Sequence, residues 1–142
     1  RTTKNNKVLI FAIMPKKKIE VELYSYGEYA AWDRQSKAIP KLLDISNTIK
    51  AHTGTEFGYV LRIKKAKGKR IDFRIDHPPF KDETGKVMPP FTGEVIINSN
   101  DYWFFLGDCV WDPPHDKMGK WTMTTKIDGE VVAQKSLLIV AK

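Results

Sequence analysis

The stretch "GDCVWDPPHD" gathers the residue types from which a site could be made. Asp108, Asp112, His115 and Asp116 combine an imidazole with carboxylates, a donor set that suits a divalent cation. The spacing speaks against it. Pro113 and Pro114 stiffen the backbone between Asp112 and His115, and no second histidine stands at a ligand offset. His77 precedes Pro78 and Pro79 and reaches this region only if the fold brings it there. A turn rich in Asp and Pro is also what a connection between strands needs for its own geometry. No metal is therefore assigned. Cys109 and a histidine would make a thiol–imidazole pair, yet a thiol inside "FFLGDCVW" reads as a buried, inert one. There is no G-x-S-x-G elbow and no glycine-rich phosphate cradle. Asp82 and Glu83 sit between Lys81 and Lys86, the pattern of a solvated face and not of a tuned acid–base pair. No cofactor signature is present, and the expectation is a protein that is not an enzyme.

Two patterns point instead to binding. Arg62, Lys64, Lys65, Lys67, Lys69 and Arg70 concentrate cations in "RIKKAKGKR", and the net charge is +7. Such a cluster neutralises phosphates with little sequence specificity. No aromatic interleaves with these lysines to stack a base, so nucleic acid or another polyanion stands as the second reading. The first is a lysine-rich loop that keeps a β-protein soluble and blunts an edge. The other pattern is aromatic. Trp121 shares parity with Met123 and Ile127 and belongs to a core. Trp32 in "YAAWDRQ" and Trp111 stand where alternation stops. With His77 and His115 on the turns, they are the candidate recognition residues for a protein or small ligand. The competing reading is that both indoles cap the ends of the fold.

The elements that must position these residues have a period of two. "IEVELYSYGEY", "FGYVLRIK" and "IDFRID" alternate apolar and polar side chains, as half-buried strands require. "KKAKGKR" with Gly68 reads as the turn of a hairpin between the last two. "HPPFKDETGKVMPPF", with two Pro-Pro pairs, excludes regular structure and reads as a loop passing from one sheet to another. "DYWFFLGDCVW" is apolar on both faces, as a central strand is. "WTMTTKI" and "EVVAQKSLLIV" flank Asp128-Gly129, the signature of a tight hairpin. Helical signal is confined to at most one turn near Lys41 to Asp44. About eight short strands with little or no helix predict an all-β, antiparallel sandwich.

Composition fits such a fold. At 42% hydrophobic and 29% charged residues, the 142-residue chain can bury a core. One cysteine excludes an internal disulfide. No apolar run is long enough to span a bilayer as a helix, which leaves cytoplasm and cell envelope both open. Residues 1–18 are basic around "VLIFAIM" and read as an arm or edge strand, with a signal remnant as the alternative. Residues 19–142 then form the sandwich domain.

In their order, "YSYGEY", "IPKLLDISNTIKAHTGTEFGYVLRI", "HPPF" and "GKWTMTTKIDGEVVAQKSL" resemble a family of small bacterial domains of unknown function. The resemblance spans roughly residues 19–140. It implies an immunoglobulin-like β-sandwich and carries no activity or site residues with it. The resulting expectation is a binding or accessory module that uses end loops or a sheet edge.

Overall fold

The computed structural model describes residues 18–36 and 38–142. Nine strands follow one another: β1 (Glu20–Tyr29), β2 (Leu42–Asp44), β3 (Thr48–Lys50), β4 (Glu56–Lys64), β5 (Arg70–Asp76), β6 (Phe91–Ile96), β7 (Asp101–Cys109), β8 (Gly119–Ile127) and β9 (Glu130–Val140). A 3-10 turn, Pro114–Lys117, is the one helical element among the described residues. The strands make two stacked sheets, in the orders β2-β1-β4-β7 and β3-β9-β8-β5-β6. Pairing is antiparallel except for Thr48–Lys50 against Leu138–Val140, which is parallel.

Alternation decides what is buried. Phe57, Tyr59, Leu61 and Ile63 of β4 turn one face to the opposite sheet. They meet Ile71 and Ile75 of β5, Trp121, Met123 and Ile127 of β8, and Leu137 and Ile139 of β9. Each such side chain contributes about 1.5–3 kcal/mol on leaving water. One polar pair lies inside this layer. The hydroxyls of Tyr59 and Thr125 are 2.6 Å apart, and both residues are wholly buried. The closing hairpin turns on Asp128 (φ 51°) and Gly129 (φ 83°), the consecutive positive φ values of a type I′ turn.

Four expectations are corrected. "KKAKGKR" is not a hairpin turn: β4 and β5 lie in different sheets, so this segment crosses between them. It is closed by hydrogen bonds to the β6–β7 link, Lys65 N to Asn100 O (3.0 Å) and Ile97 N to Lys69 O (2.9 Å). The proline loop does the reverse. It joins β5 to its neighbour β6 within one sheet, so it does not pass between sheets. Residues 42–44 form strand β2 against Glu28 and Tyr29, because pairing to β1 outweighs weak helical propensity. Finally, β7 is not central. It is the last strand of its sheet.

The reading of residues 1–18 as an arm falls, Lys18 apart, outside the described residues. So do six cations, Arg1, Lys4, Lys7, Lys16, Lys17 and Lys37, and no carboxylate. The described residues therefore hold eighteen Lys/Arg against seventeen Asp/Glu.

Candidate functional site: the free edge of β7

The residues singled out for metal or nucleophilic chemistry are dispersed or engaged. Among the described residues no three His, Cys, Asp or Glu side chains are grouped to hold a metal ion. His115 is exposed on the 3-10 turn. His77 stacks on Phe80 with centroids 4.3 Å apart, and its ring nitrogens lie 2.7 Å and 2.8 Å from the carbonyl oxygens of Pro78 and Pro89. Trp111 meets the same Phe80 at 5.3 Å and Trp121 at 6.3 Å. His77 and Trp111 thus share one aromatic cluster. The amine of Lys117 is buried there, over the Trp111 ring at 4.6 Å and donating to Asp116 at 2.6 Å. Burial pushes the Cys109 thiol above its ordinary pKa, and the Asp108 and Glu56 carboxylates push it further. That is opposite to the shift of an activated nucleophile. Asp108 is itself raised, by burial.

The cation cluster is largely paired. Arg62 donates to both Asp101 oxygens, from Nε at 2.8 Å and Nη2 at 2.7 Å. Lys65 pairs with Glu20 at 2.8 Å, Lys69 with Asp128 at 2.8 Å and Arg70 with Asp72 at 3.2 Å. Lys64 and Lys67 are the members with no ion pair among the described residues. Asp72 stands two residues from Arg70 on β5, whereas Glu20, Asp101 and Asp128 come from β1, β7 and the β8–β9 turn, which local sequence could not bring into view.

Backbone groups on the outer side of β7 are also without a partner among the described residues. In the register of β4 and β7, Val110 N donates to Thr55 O (2.9 Å) and Lys65 N to Asn100 O (3.0 Å). Antiparallel pairs alternate between bonded and non-bonded. The even-numbered residues of β7 therefore bond to β4, and Trp103, Phe105 and Gly107 direct N–H and C=O away from the sheet. At each flanking position one main-chain group is taken by the chain's own side chains. Ser99 Oγ donates to Asp101 O (3.0 Å), and Asp108 Oδ1 accepts from Cys109 N (2.8 Å).

Apolar side chains line this edge. On the outer face Phe105 lies beneath Trp32, with centroids 4.9 Å apart, and beside Tyr29 at 5.0 Å. Trp32 is pinned by its Nε1 donating to Ala38 O (2.9 Å), and its main-chain N approaches the Glu56 carboxylate at 3.4 Å. Glu56 is buried and also accepts from Arg34 at 2.8 Å. Trp103 is flanked by Tyr24 at 4.7 Å and covered by the Arg62 guanidinium at 4.8 Å. A cavity of about 450 Å³ opens along the edge, with Trp32 and Ile39 on one wall and Val95 and Asn98 on the other.

A family model for the Domain of unknown function (DUF3859) matches residues 17–139. The chain belongs to that family. Among solved structures this DUF3859 domain is similar to an immunoglobulin-like protein (PA1606) from Pseudomonas aeruginosa. The TM-score is 0.67 at 15% identity, covering 85% of this chain and 97% of that one. The likeness supports the immunoglobulin-like sandwich. The alkylpurine DNA glycosylase AlkC of Pseudomonas fluorescens, bound to DNA containing an abasic site analog, aligns at a TM-score of 0.42. There the identity is 14%, with 87% of this chain and 31% of that chain covered, too weak for any structural statement. No curated protein matches.

Of the residues expected from sequence, Trp32 lies at the DUF3859 domain's edge cavity, while Trp111, His77 and His115 lie elsewhere. Sequence reasoning missed Phe105, Trp103, Ile39 and Val95 as a group. The available signal was the run Tyr102–Gly107, six residues without a charge.

Proposed function

We propose that this domain is a non-catalytic recognition module that docks a protein partner by adding a strand to β7. The observation that carries the reading is a straight, uncharged edge with outward main-chain groups at Trp103, Phe105 and Gly107. Exposed edges are templates for foreign strands, and folded proteins blunt them with charge, bulges or short length. The other edges are β6, the three-residue β2 and β3, and the stretches of β1 and β9 that β2 and β3 leave uncovered, and they are short or carry such devices. β1 has Glu20, Glu22 and an irregular register between Leu23 and Ser25. β6 has Glu94, and β9 has Glu130 and Lys135. β7 has none between Asp101 and Asp108. Partner strands on such an edge gain affinity from the main chain and specificity from flanking pockets.

Amide hydrogen exchange on the isolated monomeric domain tests this. Trp103 and Gly107 should exchange well before Tyr102, Phe104 and Leu106 of the same strand. Equal protection across β7 in the monomer would mean the edge is already occupied, and the reading fails. The polyanion reading gains no support from the cluster's four ion pairs. Elution of the domain from heparin only at high salt would restore it.

A further inference from the structure

We infer that the occupant of the β7 edge is a short extended peptide, apolar on both of its faces, and not a second copy of this chain. The inference rests on the strand-addition reading and specifies its partner. A strand laid against β7 continues the pleat, so side chains opposite Trp103 and Phe105 project to the outer face. There they meet Trp32 and Ile39. Side chains opposite Phe104 project to the other face, where Val95 stands. An ordinary edge strand has one wet face and alternates polar with apolar residues. Here each wall presents apolar side chains beside a polar one, Trp32 and Ile39 with Ser36 on one side and Val95 with Asn98 on the other, so the occupant residues that face Trp32, Ile39 and Val95 are apolar on both faces.

Length follows from the edge itself. Ser99 and Asp108 each occupy one outward main-chain group at either end, Asp101 O and Cys109 N, and between them the uninterrupted register runs from Trp103 to Gly107. Charge points the same way. Among the described residues the carboxylate lining the cavity is Asp101, and Arg62 already holds both of its oxygens. Among the described lining residues a charged segment would find no free counterpart.

A second copy fits less well. Paired strands lie about 4.7–4.9 Å apart. The β7 edge forms the floor between the Trp32–Ile39 wall and the Val95–Asn98 wall. A second sandwich would bring the same two walls on its own edge, and walls would meet walls before the strands reached pairing distance. A single extended segment has no walls and enters.

The experiment selects heptapeptides from a random displayed library on the intact domain and remakes the enriched ones as synthetic, labelled peptides. Enriched sequences should carry three or more consecutive apolar residues without charge. In their presence the amides of Trp103, Phe105 and Gly107 should become protected. Val95→Lys and Ile39→Lys should each weaken binding at least tenfold, while Lys126→Ala on the opposite sheet should not. An N-methyl scan of the peptide covers the case in which a lysine variant fails to fold. Methylation at alternate residues should abolish binding, and methylation at the intervening ones should leave it.

Charged or strictly alternating consensus peptides that still protect β7 would overturn the occupant's chemistry and keep the edge. A dimer in sedimentation, with β7 amides protected in the absence of peptide, would replace the peptide by a second copy. No enrichment, or protection confined to other strands, would overturn both the occupant and the docking edge.

Discussion

Removing the Tyr59 hydroxyl tests whether the two sheets close as described. Tyr59 and Thr125 are wholly buried, and their hydroxyls, 2.6 Å apart, serve each other across the core. Burial pushes the Tyr59 pKa from 10.0 up to about 12, and the Thr125 hydrogen bond only partly offsets it. Tyr59→Phe leaves the Thr125 hydroxyl without a partner, a loss of about 1–3 kcal/mol. Adding Thr125→Val removes the stranded group, so the double variant should lose less than the two single losses summed. The pH dependence gives a second reading. A folded pKa above the unfolded one means that folding favours the protonated phenol. That contribution is whole below pH 10 and is lost as pH rises towards 12. Two units correspond to roughly 2–3 kcal/mol. Tyr29 and Tyr102 are also raised by burial, so the diagnostic is the difference between wild type and Tyr59→Phe. Urea unfolding at stepped pH from 8 to 11 measures it. The wild type should lose stability faster than the variant across the alkaline range. Parallel alkaline limbs, or a coupling energy near zero, would refute the buried inter-sheet pair.

Three further outcomes follow from the same packing. Gly58→Ala should destabilise the domain by on the order of 3 kcal/mol or more, because φ is +154° and a Cβ there would overlap the Leu106 carbonyl. Thermal melts read this directly. Trp32→Ala uncovers Phe105 and leaves the buried Glu56 with less cover, so a loss of about 2–4 kcal/mol is expected in urea titrations. Near-neutral stability would place the indole in solvent. Arg62→Ala should leave urea midpoints almost unmoved, since its ion pair with Asp101 is exposed. A midpoint change that persists in high salt would show that its contact with the Trp103 ring contributes more than the charge.

Alternation was enough to place the core. Trp121, Met123, Thr125 and Ile127 share a buried face because successive side chains of a strand must oppose each other, and Asp128-Gly129 could only turn tightly. Connections were less legible. A turn-rich segment such as "KKAKGKR" has the same local chemistry whether it returns within a sheet or crosses to the other. The choice is made by the partners of β4 and β5, which lie far away in sequence. β2 escaped notice for a related reason. Three residues carry no period, and only pairing with Tyr29 makes them a strand. The cation cluster was legible as composition and misleading as charge, since three of its four paired carboxylates, Glu20, Asp101 and Asp128, arrive from distant elements and only Asp72 is near in sequence.

β7 holds the point at which the pattern is ambiguous in principle. A strand apolar on both faces is one whose two faces are covered, and coverage does not require two neighbouring strands. In this fold the inner face of β7 is covered by the opposite sheet and its outer face by the loop that carries Trp32. The faces are satisfied by side chains while the edge is left to the backbone. Sequence records the first and is silent on the second, because every residue carries the same N–H and C=O. A run such as "YWFFLG" with neither charge nor proline therefore has two readings, central strand or covered edge. The covered edge is the one with bonds still to make. Direct evidence would be an added strand at β7 with its alternate side chains against Trp32 and Val95. A partner found on the end loops, with β7 bare, would show that the apolar edge is tolerated and not used.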